Sequence, residues 1–196
     1  MDEIPRVSQE RGSEAAGPQR RLSARELDRF HECVLPYLDA AHNLARYLLR
    51  DGQDAEDAVQ DAFLRAIRHF DGFRGVDGRA WLLSIVRNTC FTRLRDRRAG
   101  SEIVEFDEEV HTVEEMASGP EAELARKAAS LSVREGLDHL PVEFREVLVL
   151  RELEGLSYKE IAQVSGVPIG TVMSRLARGR RQLQLVLRPA GPQKDG

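Results

Sequence analysis

Thr171, Ser174, Arg175 and Arg178 sit close together in the stretch "GTVMSRLARGRR", at a spacing that gathers them on one side of a helix. Hydroxyls beside guanidinium forks are groups that read base edges in a DNA major groove. Arginine does this best, because its fork engages both acceptors of a guanine. Each good contact of that kind is worth about 1–3 kcal/mol of discrimination between bases. Gly170 opens the stretch, where the free N–H groups and dipole of a helix start favour a phosphate, and Arg180 and Arg181 follow as phosphate contacts. For those two arginines the plainer reading, general attraction to phosphate or solubility, stands beside the sharper one. For the whole stretch the plainer reading is a helical hairpin with a solvated basic face.

Such chemistry needs a helix presented at a fixed angle, and the residues just upstream supply the means. In "LSYKEIAQVSGVPIG", Ser157 and Glu160 have the spacing of a capping box, so a helix starts at Tyr158. Gly166 can take the positive φ of a tight turn, and Pro168 suits the first turn of the next helix. Ile161, Ala162, Val167, Val172 and Leu176 then point inward, with Ala162 small where the second helix crosses and Val172 filling the angle between the two. This is the pattern of a helix-turn-helix, whose second helix enters the major groove.

Two other faces carry charge in a pattern. Asp54, Asp57 and Asp61 recur at helical spacing, widened by Gln53, Glu56 and Gln60, opposite an apolar face of Ala58, Ala62, Phe63, Ala66, Ile67 and Phe70. The stripe is either a solvated face near a helix start, where Asp is favoured anyway, or a docking surface for a cationic partner. The second face lies in "RAWLLSIVRNTCFTRLRDRR", with Arg79, Arg87, Asn88 and Arg93 among six arginines and a single acid, behind the Gly-rich loop "DGFRGVDG". Trp81 there fits the apolar core at least as well as a stacking platform, and Phe73 in the loop fits either role.

The elements behind these faces read as helices. The chain of 196 residues has 41% hydrophobic, 32% charged and only 6% aromatic residues, which suits an all-α protein of two small helical domains. Ser23 and Glu26 form another capping box, and Leu27, Phe30 and Val34 lead to Pro36. A second apolar set, from Leu38 to Leu48, ends at Asp51-Gly52. Asp54 then caps a helix reaching about Asp71, and another helix runs from about Arg79 to Arg97. In the second domain, helices are expected at about 122–139, at 142–153 with Pro141 in its first turn, at 158–164 and at 169–187.

The domain boundaries follow: a loose lead over 1–22, a helical domain over 23–98, an acidic linker over 99–121, the helix-turn-helix domain over 122–188 and a tail over 189–196. The net charge of −4 conceals a strong division. Arg79–Arg98 carries a net +5 and Pro168–Arg188 another +5, whereas Ser101–Glu123 holds nine acids and no Lys or Arg.

Other function classes find little support. Cys33 and Cys90 have no CxxC arrangement, and His31, His42, His69, His111 and His139 have no metal-ligand spacing, so neither a metal nor a disulfide framework is expected. There is no phosphate loop or nucleophile motif, no catalytic residue is assigned, and no cofactor or enzymatic activity is expected. The amino terminus has no apolar signal core and the apolar runs are short, which points to a cytoplasmic protein without membrane insertion.

The stretches "DAEDAVQDAFLRAIRHFDGF", "RAWLLSIVRNTCFTRLRDRR" and "LPVEFREVLVLRELEGLSYKEIAQVSGVPIGTVMSRLARGRRQL" together resemble the bacterial RNA polymerase sigma factors, and the two-domain length is similar to that of their extracytoplasmic function (ECF) subfamily. The resemblance spans about residues 23–187. It implies a factor that binds core RNA polymerase through Asp54, Asp57, Gln60 and Asp61. Promoter DNA would be opened at the minus-10 element with Phe73, Arg79, Trp81, Arg87, Asn88 and Arg93, and read at minus-35 with Thr171, Ser174, Arg175 and Arg178. Holding a base out of the stack costs a few kcal/mol, which stacking surfaces and phosphate clamps offset. The linker is either a solvated spacer or, as the family implies, a segment that occupies the RNA path of the polymerase. An anti-sigma factor is implied as a further partner. The competing reading is a helix-turn-helix regulator acting without polymerase, which net acidity makes a poor autonomous DNA binder.

Overall fold

The computed structural model describes residues 23–75, 77–100 and 133–187, which fall into an amino-terminal and a carboxy-terminal unit, each described by itself. The lead, the acidic linker, most of the expected 122–139 helix and the tail lie outside the described residues. No strand occurs among the described residues.

In the first unit, α1 (Ala24–Cys33) starts at the expected capping box. The Ser23 N–H donates to the Glu26 carboxylate at 2.8 Å, and the Glu26 N–H returns to Ser23 Oγ at 3.4 Å. Pro36 interrupts the run, a single 3-10 turn over Leu35–Tyr37 bridges the gap, and α2 (Leu38–Leu49) continues. The break after α2 is made one residue earlier than expected. Arg50, directly before the expected Asp51-Gly52 break, takes the left-handed conformation at φ 64°, and Gly52 opens α3 (Gly52–His69). The cap of α3 shifts accordingly from Asp54 to Asp51, whose Oδ1 accepts the Asp54 N–H at 2.8 Å. A 3-10 turn over Phe70–Gly72 closes the helix, and α4 (Gly78–Gly100) starts with Asp77 Oδ1 accepting the Ala80 N–H at 3.0 Å.

The core of this unit is built from small residues on α2 and α3, with Ala41, Ala45, Ala55, Ala58, Ala62 and Ala66 all buried beside Leu44 and Leu48. Alanine on two facing helices lets their axes come close. Leu82, Leu83 and Val86 of α4 are buried as well. The entry of α4 is tighter still: a Cβ added to Gly78 would stand 1.9 Å from the Cys33 carbonyl oxygen.

In the second unit, α5 covers residues 133–138. It is followed by α6 (Val142–Leu148), a π turn over Val149–Leu153, α7 (Tyr158–Ser165) and α8 (Ile169–Val186). Both prolines stand one place before the expected position, as caps rather than first-turn residues. With ψ at 141° and 149° they are extended, and their carbonyls collect the first helical donors: Phe144 and Arg145 at Pro141, Thr171 and Val172 at Pro168. The expected 142–153 helix keeps its length but changes its winding at Val149, with the Glu154 N–H reaching back five residues to the Val149 carbonyl.

Gly78→Ala is expected to cost the first unit about 1–3 kcal/mol, because backbone rather than a side-chain tip must move. Gly52→Ala, with open space around it, should be neutral or slightly stabilising. Thermal unfolding followed by the fluorescence of the single tryptophan, Trp81, distinguishes the two.

Candidate nucleic-acid interface

The helix-turn-helix forms as its sequence requires. Ser157 and Glu160 close their capping box at 2.6 and 3.3 Å, and Gly166 takes φ +68° between α7 and α8. Ile161, Val172 and Leu176 are buried, while Ala162 and Val167 are half-buried. Gly179 continues the inner stripe of α8. A Cβ there would lie 3.1 Å from a Leu148 methyl and 3.3 Å from Phe144 Cβ, so α6 and α8 meet almost backbone to backbone.

With Val172, Leu176 and Gly179 turned inward, helical periodicity turns Ser174, Arg178 and Arg181 outward, and all three are exposed. Thr171 is half-buried at the edge of that face. Arg178 and Arg181 are the arginines of α8 that make no hydrogen bond or ion pair among the described residues, so their guanidinium groups are available to an incoming anion.

Two sequence expectations, for Arg175 and Arg180, are altered here. Arg175 does not project outward. Its side chain is only 24% exposed, and its Nη1 lies 4.0 Å from Oε2 of the fully buried Glu146 on α6. Arg180 lies on the opposite flank, held by Glu152 of the π turn at 3.0 Å from Nε and 2.6 Å from Nη2. The hydrogen bond to Glu152 raises the Arg180 pKa above its ordinary value, with burial acting weakly the other way. Thr171 offers no free N–H, since the Pro168 carbonyl accepts it at 2.9 Å. The anion-favouring start of α8 is therefore confined to Ile169 and Gly170, both exposed.

Arg145, also buried, secures the turn before α6 through Nη2 to the Leu140 carbonyl at 2.9 Å and stands 3.9 Å from Asp138. At the other end of α6, Arg151 donates to the Leu156 carbonyl at 2.7 Å and lies over the Tyr158 ring. Nothing in the hydrophobic pattern marks these arginines as internal.

In the first unit the two aromatic candidates are core residues. Phe73 is 5% exposed and Trp81 8%, their rings 4.8 Å apart. Phe70 stacks on Phe73 and meets Phe30, which meets Phe63 in turn. Arg29 fastens the loop from outside, donating from Nη2 to the Phe73 carbonyl at 3.1 Å with its guanidinium over the Phe70 ring. A base could stack on Phe73 only after the ring had left this cluster. The sequence leaves Phe73 open between core and loop surface, and the aromatic cluster makes it core.

On α4, Asn88 is exposed and accepts from Arg87 Nη1 at 3.2 Å, so those two act side by side. Arg93, five residues beyond Asn88, is turned about 140° away around the helix. Arg79 sits at the amino end with its guanidinium over the Tyr37 ring. Ser84, Asn88, Phe91 and Arg95 form one stripe at helical spacing, which adds Arg95 to the sequence-based candidates. On α3, Asp61 and Gln60 are exposed and Asp54 and Asp57 half-buried. Neither cysteine is in a disulfide, and no cluster of His, Cys, Asp or Glu among the described residues could hold a metal ion. No helix among the described residues is long and apolar enough to cross a membrane.

Phe73→Ala should behave as a core truncation, costing about 3–5 kcal/mol and lowering the Trp81-detected unfolding midpoint by more than about 10 °C. An unchanged midpoint combined with lost DNA opening would return Phe73 to the surface.

Comparison with known proteins gives two family matches along the chain: Sigma-70 region 2 over residues 33–100, and Sigma-70, region 4 over residues 130–183. The RNA polymerase sigma-H factor of Pseudomonas aeruginosa is 36% identical over 168 residues, covering 82% of this chain and 86% of that protein. The ECF RNA polymerase sigma-E factor of Escherichia coli is 34% identical over 167 residues, covering 82% and 87%. Among solved structures, the sigma factor RpoE of Bartonella quintana, crystallised with the anti-sigma factor NepR, matches with a TM-score of 0.65 at 27% identity, over 82% of this chain and 97% of that one. CnrH in complex with the cytosolic domain of CnrY matches at 0.56 and 29%, over 82% and 88%.

Proposed function

The chain belongs to the ECF sigma factors of bacterial RNA polymerase, and from that membership we propose how its residues divide the labour of initiation. It is an alternative sigma factor that directs promoter-specific transcription. The observation that carries this is the presence, in order and in one chain, of a region 2 unit and a region 4 helix-turn-helix. A lone DNA-reading regulator would need only the second.

In our reading the outer face of α8 enters the major groove at minus-35, with Thr171, Ser174 and Arg178 toward base edges and Arg175 at the margin. Gly170 and Arg181 meet phosphates, and Arg180 does so only by giving up Glu152. At minus-10, Arg87 and Asn88 form the central pair, with Arg79, Arg93 and Arg95 as phosphate clamps; Trp81 and Phe73 hold the shape of that surface from beneath. The acidic face of α3, with Asp54, Asp57, Gln60 and Asp61, docks on core polymerase. The factor performs no bond chemistry of its own, and its place of work is the cytoplasm, where polymerase is found. An anti-sigma protein completes the set of partners, a reading supported by the complexes in which the structural relatives were crystallised.

Run-off transcription tests the function directly: adding this protein to bacterial core polymerase should produce initiation at a discrete set of promoters. Tight operator binding without polymerase, and no such transcripts, would instead indicate a stand-alone regulator.

Two substitutions test the assignments. Asp61→Arg should weaken the complex with core polymerase in a pull-down, and undiminished binding would leave the acidic face merely solvated. Arg181→Ala should lower promoter affinity about equally for all sequences and reduce the magnitude of the salt slope by about one, whereas Arg178→Ala should relax base preference.

A further inference from the structure

We propose that Glu146, which is too deep to touch DNA, is a positioning residue for promoter recognition, acting through Arg175. The proposal rests on the reading of α8 as the minus-35 helix. Glu146 lies on α6 with none of its side chain exposed, and Arg175 Nη1 approaches its Oε2 at 4.0 Å. Taking a carboxylate out of water is tolerated only where cations or hydrogen bonds answer it, and the Arg175 guanidinium is one of the groups placed to do so.

The geometry of the arginine is what turns this from packing into positioning. Nη1 is buried and makes no hydrogen bond, yet about a quarter of the side chain remains exposed. One edge of the guanidinium is thus turned toward the carboxylate while other parts of the side chain reach the surface. That surface is the start of α8, next to Ser174 and one turn beyond Thr171. A guanidinium carries five donors in a rigid plane, enough to face an acid on one edge and a guanine or phosphate on the other.

An unrestrained arginine on a helix surface gives up much rotamer freedom when it binds. One already restrained by a buried acid gives up less, so the same contact discriminates more strongly between right and wrong bases. Arg178 and Arg181, which no acid among the described residues restrains, make the contrast within the same helix.

The test compares wild type, Glu146→Gln, Arg175→Ala and the double variant, each as full chain assembled with core polymerase. The readout is the ratio of affinities for a promoter the holoenzyme uses and the same promoter altered across its minus-35 element. Arg175→Ala should reduce that ratio about tenfold, as the loss of one good base contact would. Glu146→Gln should reduce it severalfold, and the double variant should be no worse than Arg175→Ala alone. Arg175→Lys, which keeps a cation for Glu146 but not the planar fork, should retain the wild-type unfolding midpoint while losing discrimination.

If Glu146→Gln lowers the midpoint and leaves the ratio untouched, or shifts the ratio equally with and without Arg175, Glu146 only stabilises the fold and the inference is overturned. If Arg175→Ala leaves the ratio unchanged while Arg178→Ala lowers it, α8 reads the promoter without Arg175 and the inference alone fails; if neither variant changes it, the reading of α8 fails as well.

Discussion

The close approach of α8 to α6 governs the DNA-binding half of this protein. At Gly179 the second helix comes so close to Phe144 and Leu148 that an added Cβ would force these side chains to give by a few tenths of an ångström. Once that contact fixes the rotation of α8, no freedom remains in what the helix shows to the outside. Val172, Leu176 and Gly179 face in, so Ser174, Arg178 and Arg181 face out, and Arg175 and Arg180 fall on the two flanks. Each flank is then met by an acid of the same domain, Glu146 on one side and Glu152 on the other. The recognition helix therefore carries four arginines in three electrical states: two open, one restrained at a buried carboxylate, and one in an exposed pair that solvent screens.

The first unit solves a different problem by similar means. Its α2 and α3 pack through alanines, and the large side chains collect at one end, where Phe30, Phe63, Phe70, Phe73 and Trp81 make a continuous aromatic cluster. Edge-to-face and offset contacts of this kind add about 0.5–1.5 kcal/mol per pair beyond simple burial. The cluster shapes the loop between α3 and α4, and Gly78 lets α4 begin directly against the end of α1. In the reading proposed above, the surface that would hold melted DNA rests on this packed cluster, while its polar residues stand above it.

Local chemistry was legible in the sequence and long-range chemistry was not. Both capping boxes, the positive φ at Gly166 and the inward set Ile161, Val172 and Leu176 depend on residues within a few positions of each other, and spacing alone reveals them. The break expected at Asp51-Gly52 is made by Arg50, a non-glycine residue at φ 64°, which nothing in the sequence marks as left-handed. Phe73 looked like a loop residue, and only the rings of Phe70 and Trp81, brought from either side, make it core. Spacing groups Arg175 with the outward residues; with Gly179 added to the inner stripe the helix rotation puts it on a flank, where Glu146, twenty-nine positions earlier, meets it. A charged residue inside a protein leaves no mark on hydrophobic periodicity, so Arg145 and Glu146 were equally invisible.

The π turn after α6 has a consequence for how this domain tolerates change in its length. A helix that winds one residue too wide has, in effect, absorbed an insertion without passing the disturbance on to the elements that follow. Upstream of it lies the helix that buries Glu146; downstream, in the turn itself, stands Glu152. Removing a single residue from Val149–Leu153 would let the segment relax to ordinary winding and change the register of the residues inside the turn, Glu152 beside Arg180 among them, while leaving Glu146 where it is. The two acids that flank the recognition helix are therefore separable by one codon, which gives evolution a way to free one arginine without disturbing the other.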